Sequence, residues 1–167
     1  MATAKDGKLF VANTSNVKEM KNGRPMNVKI TEEGLPNCTI VTLGTAGQGV
    51  EDHVFPGTKV ALDAAKVGDF VVVAPEIMVE EARKTDGHIG KYRLDKGEVH
   101  TGYELHLHDR LELSAAYFES VPEVGAAIGN FKVISVRTIA TGMIIKPEAD
   151  ELYTGAQMQM VKIELVK

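Results

Sequence analysis

Short runs of alternating apolar and polar residues, separated by turn-forming residues, recur along the whole chain. KLFVANT, MNVKIT, CTIVTL, TKVALD, DFVVVA, KYRL, YELHLH, RLELSAAYF, FKVISVR, TGMIIK and MQMVKIELV each have the length and the β-branched content or period of two that suit a strand. Between them stand Asn22-Gly23, Pro56-Gly57, Val67-Gly68-Asp69, Asp86-Gly87, Lys96-Gly97 and Gly129-Asn130, which turn the chain. Many short strands with frequent turns predict a β-barrel or β-sandwich rather than alternating strand–helix units. No fixed repeat and no linker interrupts residues 1–167, so the expectation is one all-β domain with at most one short helix. Residues 74–87, APEIMVEEARKTDG, are the place for that helix, with Pro75 suited to its first position and Gly87 beyond its end. Its EIMV run suits a strand equally well, and the pattern leaves the choice open.

TLGTAGQGVEDHVF, residues 42–55, has the glycine content of a phosphate-binding loop. Such a loop needs a helix directly behind it, whose N-terminal amides face the phosphate. Pro56-Gly57 follows at once and the flanking segments read as strands, so the stretch reads as a surface connection whose glycines permit positive φ.

YELHLHDRLELSAAYF, residues 103–118, carries the densest candidate chemistry. Tyr103, Leu105, Leu107, Leu111, Leu113 and Tyr117 fall on one face of a period of two, interrupted by Asp109. His106, His108, Arg110 and Glu112 fall on the other, and the break at Asp109-Arg110 suits a tight turn or a bulge. His106, His108 and Glu112 form an H-x-H-x3-E pattern that resembles part of the first metal-binding motif of the cupins. That resemblance implies a metal-dependent enzyme with these three residues as ligands. The glycine expected after the glutamate is replaced by LSAAYFE, and no histidine follows His108. In a straight strand Glu112 also lies roughly 13 Å from His108. The expectation is therefore no metal, no cofactor and no catalytic residue, with the cupin-like site as the alternative.

At QMQMVKIELV the apolar positions shift from Met158 and Met160 to Val161, Ile163 and Leu165, which predicts a bulged core strand or a strand buried on both faces. Lys29, Lys59 and Lys162, inside strand runs, suit the blunting of exposed sheet edges. Cys38, the only cysteine, sits in an apolar run and reads as a packing residue.

At 167 residues the chain can bury a core without staples. The polar start MATAKDGKLF and the absence of a long apolar run argue against a signal peptide and a membrane span. The charge is uneven: residues 1–30 hold six basic and two acidic groups, a net +4, leaving −8 on the remainder of a chain of net −4. This suits a mobile basic N-terminal arm within 1–30 that docks on an acidic surface. Nucleic acid is a poor partner, because no basic cluster is interleaved with aromatics.

The stretch GKYRLDKGEVHTGYELHLHDRLELSAAYFESVPEVGAAIGNFKVISVRT, with VGDFVVVAPE before it, resembles virion structural proteins of tailed phages that infect Gram-positive bacteria. These are small β-rich capsid decoration, or cement, proteins. The features that carry the resemblance, over roughly residues 60–140, are the GD-F-apolar strand, the YRL-x-KG step, the LELSAAYF strand, the VG turn and a closing β segment. It implies a non-enzymatic protein on the outer capsid surface of a bacteriophage virion, made in the host cytoplasm. Its partner would be the major capsid protein, whose capsomer contacts it stabilises, with homo-oligomerisation left open. A tail or baseplate position is the neighbouring alternative.

Overall fold

Apolar residues occupy both faces of the strands at the centre of the chain, and this double burial organises the molecule. The computed structural model describes residues 10–18, 25–47, 52–73, 90, 92–140 and 157–167; TGMIIK and residues 74–87 lie outside them. In chain order the strands are β1 (Ala12–Asn16), β2 (Met26–Ile30), β3 (Leu35–Pro36), β4 (Ile40–Leu43), β5 (Val54–Lys59) and β6 (Phe70–Val73). They continue as β7 (Arg93–Leu94), β8 (Val99–Glu104), β9 (Arg110–Ser114), β10 (Ala127–Ile128), β11 (Phe131–Ala140) and β12 (Gln157–Leu165). A 3₁₀ turn, Ala115–Tyr117, follows β9. The expected all-β architecture is present, with a closed five-stranded barrel.

The barrel runs β2-β5-β4-β6-β8 and back to β2. Its β2–β5 pairing is parallel and the other four are antiparallel. Val28, Ile30, Val41 and Val72 fill the interior, joined by Leu35, Leu94 and Tyr92 from around the small β3–β7 ladder. Room inside is set by two glycines. A Cβ on Gly57 would lie 2.5 Å from Val28 Cγ1, and one on Gly102 2.5 Å from Val28 Cγ2. Each valine methyl therefore occupies the space of a missing side chain on a flanking strand, which lets so narrow a barrel close.

The second layer is a sheet in the order β1-β9-β12-β11-β10. Its inner face (Leu111, Leu113, Phe131, Val133, Val161, Ile163 and Leu165) packs against Ile40 and Val71 from the outside of the barrel. In β4, Ile40 faces the sheet cluster and Val41 the barrel interior; in β6, Val71 and Val72 divide likewise. The unbroken apolar runs TIV and FVVV are thus strands buried on both faces. Gly129, at φ +55, fixes the layers together, because a Cβ there would lie 1.7 Å from the carbonyl oxygen of Asp63. Next to it, Asn130 Nδ2 donates to the Ala65 carbonyl at 2.8 Å.

Several expectations change. YELHLH leaves its strand early, at Glu104 where β8 ends, and of the two readings of the break at Asp109-Arg110 the tight turn is the one present, closing just before β9. Lys29 and Lys59 belong to a closed barrel and Lys162 to a strand paired on both sides, so none of the three guards an edge. The bulge lies in β11, between Val133 and Ser135, while β12 pairs with β9 without a break. It lets Phe131, Val133 and Val136 all face the core cluster. Met160 is buried on the opposite face, so β12 is covered on both sides there. Residues 1–30 are not an arm throughout. Ala12–Asn16 pairs with β9, Met26–Ile30 closes the barrel, and Val17 and Val28 are fully buried. Lys5, Lys8, Lys21 and Arg24 lie outside the described residues. Residues 42–55 join two antiparallel strands, with Gly44 N–H donating to the Pro56 carbonyl at 2.8 Å and Gly47 N–H to that of Val54 at 3.0 Å. Gly44 serves close approach rather than positive φ: a Cβ would lie 2.9 Å from Pro56 Cγ.

Gly102→Ala is expected to lower stability by about 1–3 kcal/mol through overpacking. Combined with Val28→Ala, the loss should fall below the sum of the two single losses, since the smaller residue vacates the contested space. Urea unfolding of the two single variants and the double variant measures this; strict additivity would contradict the wedge.

Candidate functional site

The turn between β8 and β9 is built around Asp109, whose side chain is almost fully buried. Its Oδ2 accepts from His106 N–H at 2.8 Å and its Oδ1 from Lys18 N–H at 2.9 Å, tying the turn to the end of β1. The Asp109 N–H donates back to the His106 carbonyl at 3.0 Å, closing a tight turn with His108 at φ 72. Asp69 plays a similar part in the turn ahead of β6, accepting from Lys66 N–H at 2.9 Å and from the Thr42 hydroxyl at 2.7 Å. Both carboxylates therefore act as backbone caps.

His106, His108 and Glu112 are not assembled. His108 Nδ1 is hydrogen-bonded to Glu164 Oε1 at 3.0 Å, and Arg110 Nε donates to Glu164 Oε2 at 2.7 Å. Glu112, on β9, receives two bonds from the Arg137 guanidinium, at 2.5 and 2.8 Å. The hydrogen bonds to His108 and Arg110 hold the Glu164 carboxyl below its ordinary value of 4.5. Hydrogen bonding to Glu112, with its charge, raises the Arg137 guanidinium further above its own. Among the described residues, no group of three or more His, Cys, Asp or Glu side chains converges in a way that could hold a metal ion.

A cavity of about 430 Å³ lies between the barrel and the start of the sheet. Phe10, Cys38, Ile40, Arg93, Leu113 and Tyr117 supply much of its wall. Arg93 Nη1 donates to the carbonyls of Gly90 and Tyr92 at 2.9 and 3.0 Å, and its guanidinium carbon lies 4.5 Å from the Phe10 ring centre. The Tyr117 hydroxyl donates to the Asn37 carbonyl, and its ring meets Phe10 edge-on at 5.0 Å. Burial pushes the Cys38 thiol up to about 12. Burial also raises the Tyr117 phenol, with Cys38 adding to the shift and Arg93 opposing it. Thiol and phenol are thus neutral near pH 7, and neither is poised as a nucleophile. Cys38 is the buried packing residue expected, although it occupies a turn at φ 62 ahead of β4 rather than a strand.

The partners that decide this region, Glu164 and Arg137, were not singled out by sequence reasoning. Glu164 meets Arg110 only because β12 pairs with β9 in a register that sets the two opposite each other. Charges of opposite sign in two separate strand runs were the available signal, but the pairing had to be known first. No protein-family model matches the chain, and neither a curated protein nor a solved structure does.

Two outcomes are expected. In the folded protein Cys38 should resist a thiol reagent at pH 8 and react fully in denaturant; prompt reaction in the native state would contradict its burial. Glu164, with a depressed folded pKa, contributes stability above its unfolded value, and that contribution is lost as pH falls through the lower folded value. Glu164→Gln should therefore flatten the acid side of a stability–pH curve below about pH 4.5, as measured by urea unfolding.

Proposed function

We propose that the protein is a non-enzymatic virion structural protein that binds the outer surface of a phage capsid and braces contacts between capsomers. The observation that carries this reading is a set of exposed apolar side chains on two neighbouring turns and on the segment just after β12. Val67, Leu107 and Val166 are exposed by 43, 49 and 36%. These segments are joined by backbone bonds from Gly68 to Leu105, from His108 to Leu165 and from Val166 to Asn130. Asn130 in turn bonds the Ala65 carbonyl. Large apolar side chains on neighbouring segments of a rigid β scaffold suit a protein-binding surface.

At roughly 25 cal/mol per Å², covering such a side chain contributes about 1 kcal/mol, so three give a weak individual contact. A site repeated with capsid symmetry makes weak contacts collectively effective. The basic groups before residue 30 add attraction to an acidic shell, and salt weakens it as the screening length falls to about 8 Å at physiological strength.

Leu107→Asp and Val166→Asp together are expected to reduce co-sedimentation with purified phage heads at least tenfold while leaving the melting temperature near that of the wild type. Wild-type binding should also fall across a rising salt series. Unchanged sedimentation of the double variant would remove the support for this face, and failure of the wild type to bind heads at any salt would overturn the reading.

A further inference from the structure

Among the described residues, one long strand edge has no strand beside it. Among the described residues, β10 pairs only with Phe131 and Lys132 of β11, and the bonds of Val133 to Gly125 and Ala126 end that cover. From Ile134 to Ala140, β11 has β12 on one side and no described strand on the other. The β11–β12 ladder also runs past β9, which stops at Ser114 opposite Met160 while the ladder continues to Ala140 opposite Gln157. The result is a two-stranded ribbon extending beyond its neighbours, a form that is marginal when left unpaired.

Edges elsewhere are managed. The barrel has none, β10 is two residues long, and β1 is short and interrupted by a register shift between Asn13 and Asn16. Such devices discourage strand addition. On β11, by contrast, Thr138, Ile139 and Ala140, and facing them Gln157, Met158 and Gln159, carry no charge. The bulge lies at the far end of the open stretch, next to Ile134.

We propose that this edge pairs antiparallel with the same edge of a second copy of the chain, across a two-fold axis centred on Thr138. A symmetric antiparallel pairing sets one residue opposite itself, and that requirement selects the register. Centring on Arg137 would oppose two arginines on one face, which is unfavourable. Centring on Thr138 sets threonine opposite threonine, Arg137 opposite Ile139, and Val136 opposite Ala140. Arg137 keeps its bonds to Glu112 of its own chain throughout. Val124 and Ile134, exposed by 63 and 37%, flank the same edge and lose water contact when a second sheet arrives. This self-association does not depend on the capsid reading.

Sedimentation equilibrium of the full chain, from about 1 to 100 µM, should show a reversible monomer–dimer equilibrium. Thr138 is exposed, so Thr138→Lys should keep the wild-type melt while placing like charges at the axis and weakening dimerisation about tenfold or more. Thr138→Val should leave the dimer intact. Directly opposed residues of an antiparallel pair have Cα atoms about 4.5–5.5 Å apart, within disulfide reach, so Thr138→Cys should form a covalent dimer on mild oxidation. Buried Cys38 does not compete for the new thiol. A wild type that stays monomeric over this range would overturn the proposal. So would a dimer that neither Thr138→Lys weakens nor Thr138→Cys locks. Should Thr138→Lys fail to fold, the cysteine crosslink decides.

Discussion

The fit of Val28 between Gly57 and Gly102 is the constraint on which the rest of the molecule depends. Val28 lies on β2, the strand that pairs with both β5 and β8 and so closes the barrel. Side chains on both flanking strands at those points would force β2 outward and open the ring. Closure removes every edge from that layer and turns the outer faces of β4 and β6 into a platform. The five-stranded sheet then buries its inner face on Ile40 and Val71, and the contact between Gly129 and Asp63 fixes the distance between the layers. A loss at Val28 is therefore expected to reach the sheet, because the two clusters share strands rather than merely touching.

Period-two patterns and turn signals made the fold class and most of the strands legible. β2, β4, β6, β11 and β12 fall inside or across runs that read as strands directly. What the pattern could not carry was pairing. YELHLHDRLEL showed a break at Asp109-Arg110 that suited a turn or a bulge without deciding between them. The turn in it depends on Asp109 accepting from Lys18, 91 residues away, and on His108 adopting a left-handed conformation. Leu107, apolar and in phase, is consequently on the surface, and the polar Asp109 is buried. The same limit explains the lysines. Whether Lys29 or Lys162 lies on an edge is a property of sheet order, and sheet order is not local. In the C-terminal half the phase shift was visible, but the compensating bulge lies in the partner strand.

The candidate chemistry followed a similar course. A histidine and a glutamate at suggestive spacing went to separate partners once β9, β12 and β11 were in register, His108 hydrogen-bonded to Glu164 and Glu112 to Arg137. Glu164, His108 and Arg110 secure the turn beside the apolar face, holding Leu107 and the C-terminal Val166 on a rigid base. Polar groups here serve position, and Val67, Leu107 and Val166 stand exposed among them. That division of labour suits a binding protein whose affinity comes from surface covered rather than from a reacting group.

Cryo-electron microscopy of phage heads assembled with and without this protein tests the central proposal most directly. The account predicts additional density on the outer shell at symmetry-related positions, with the face of Val67, Leu107 and Val166 directed at the capsid. Density confined to the tail or baseplate, or heads identical in the two preparations, would contradict it.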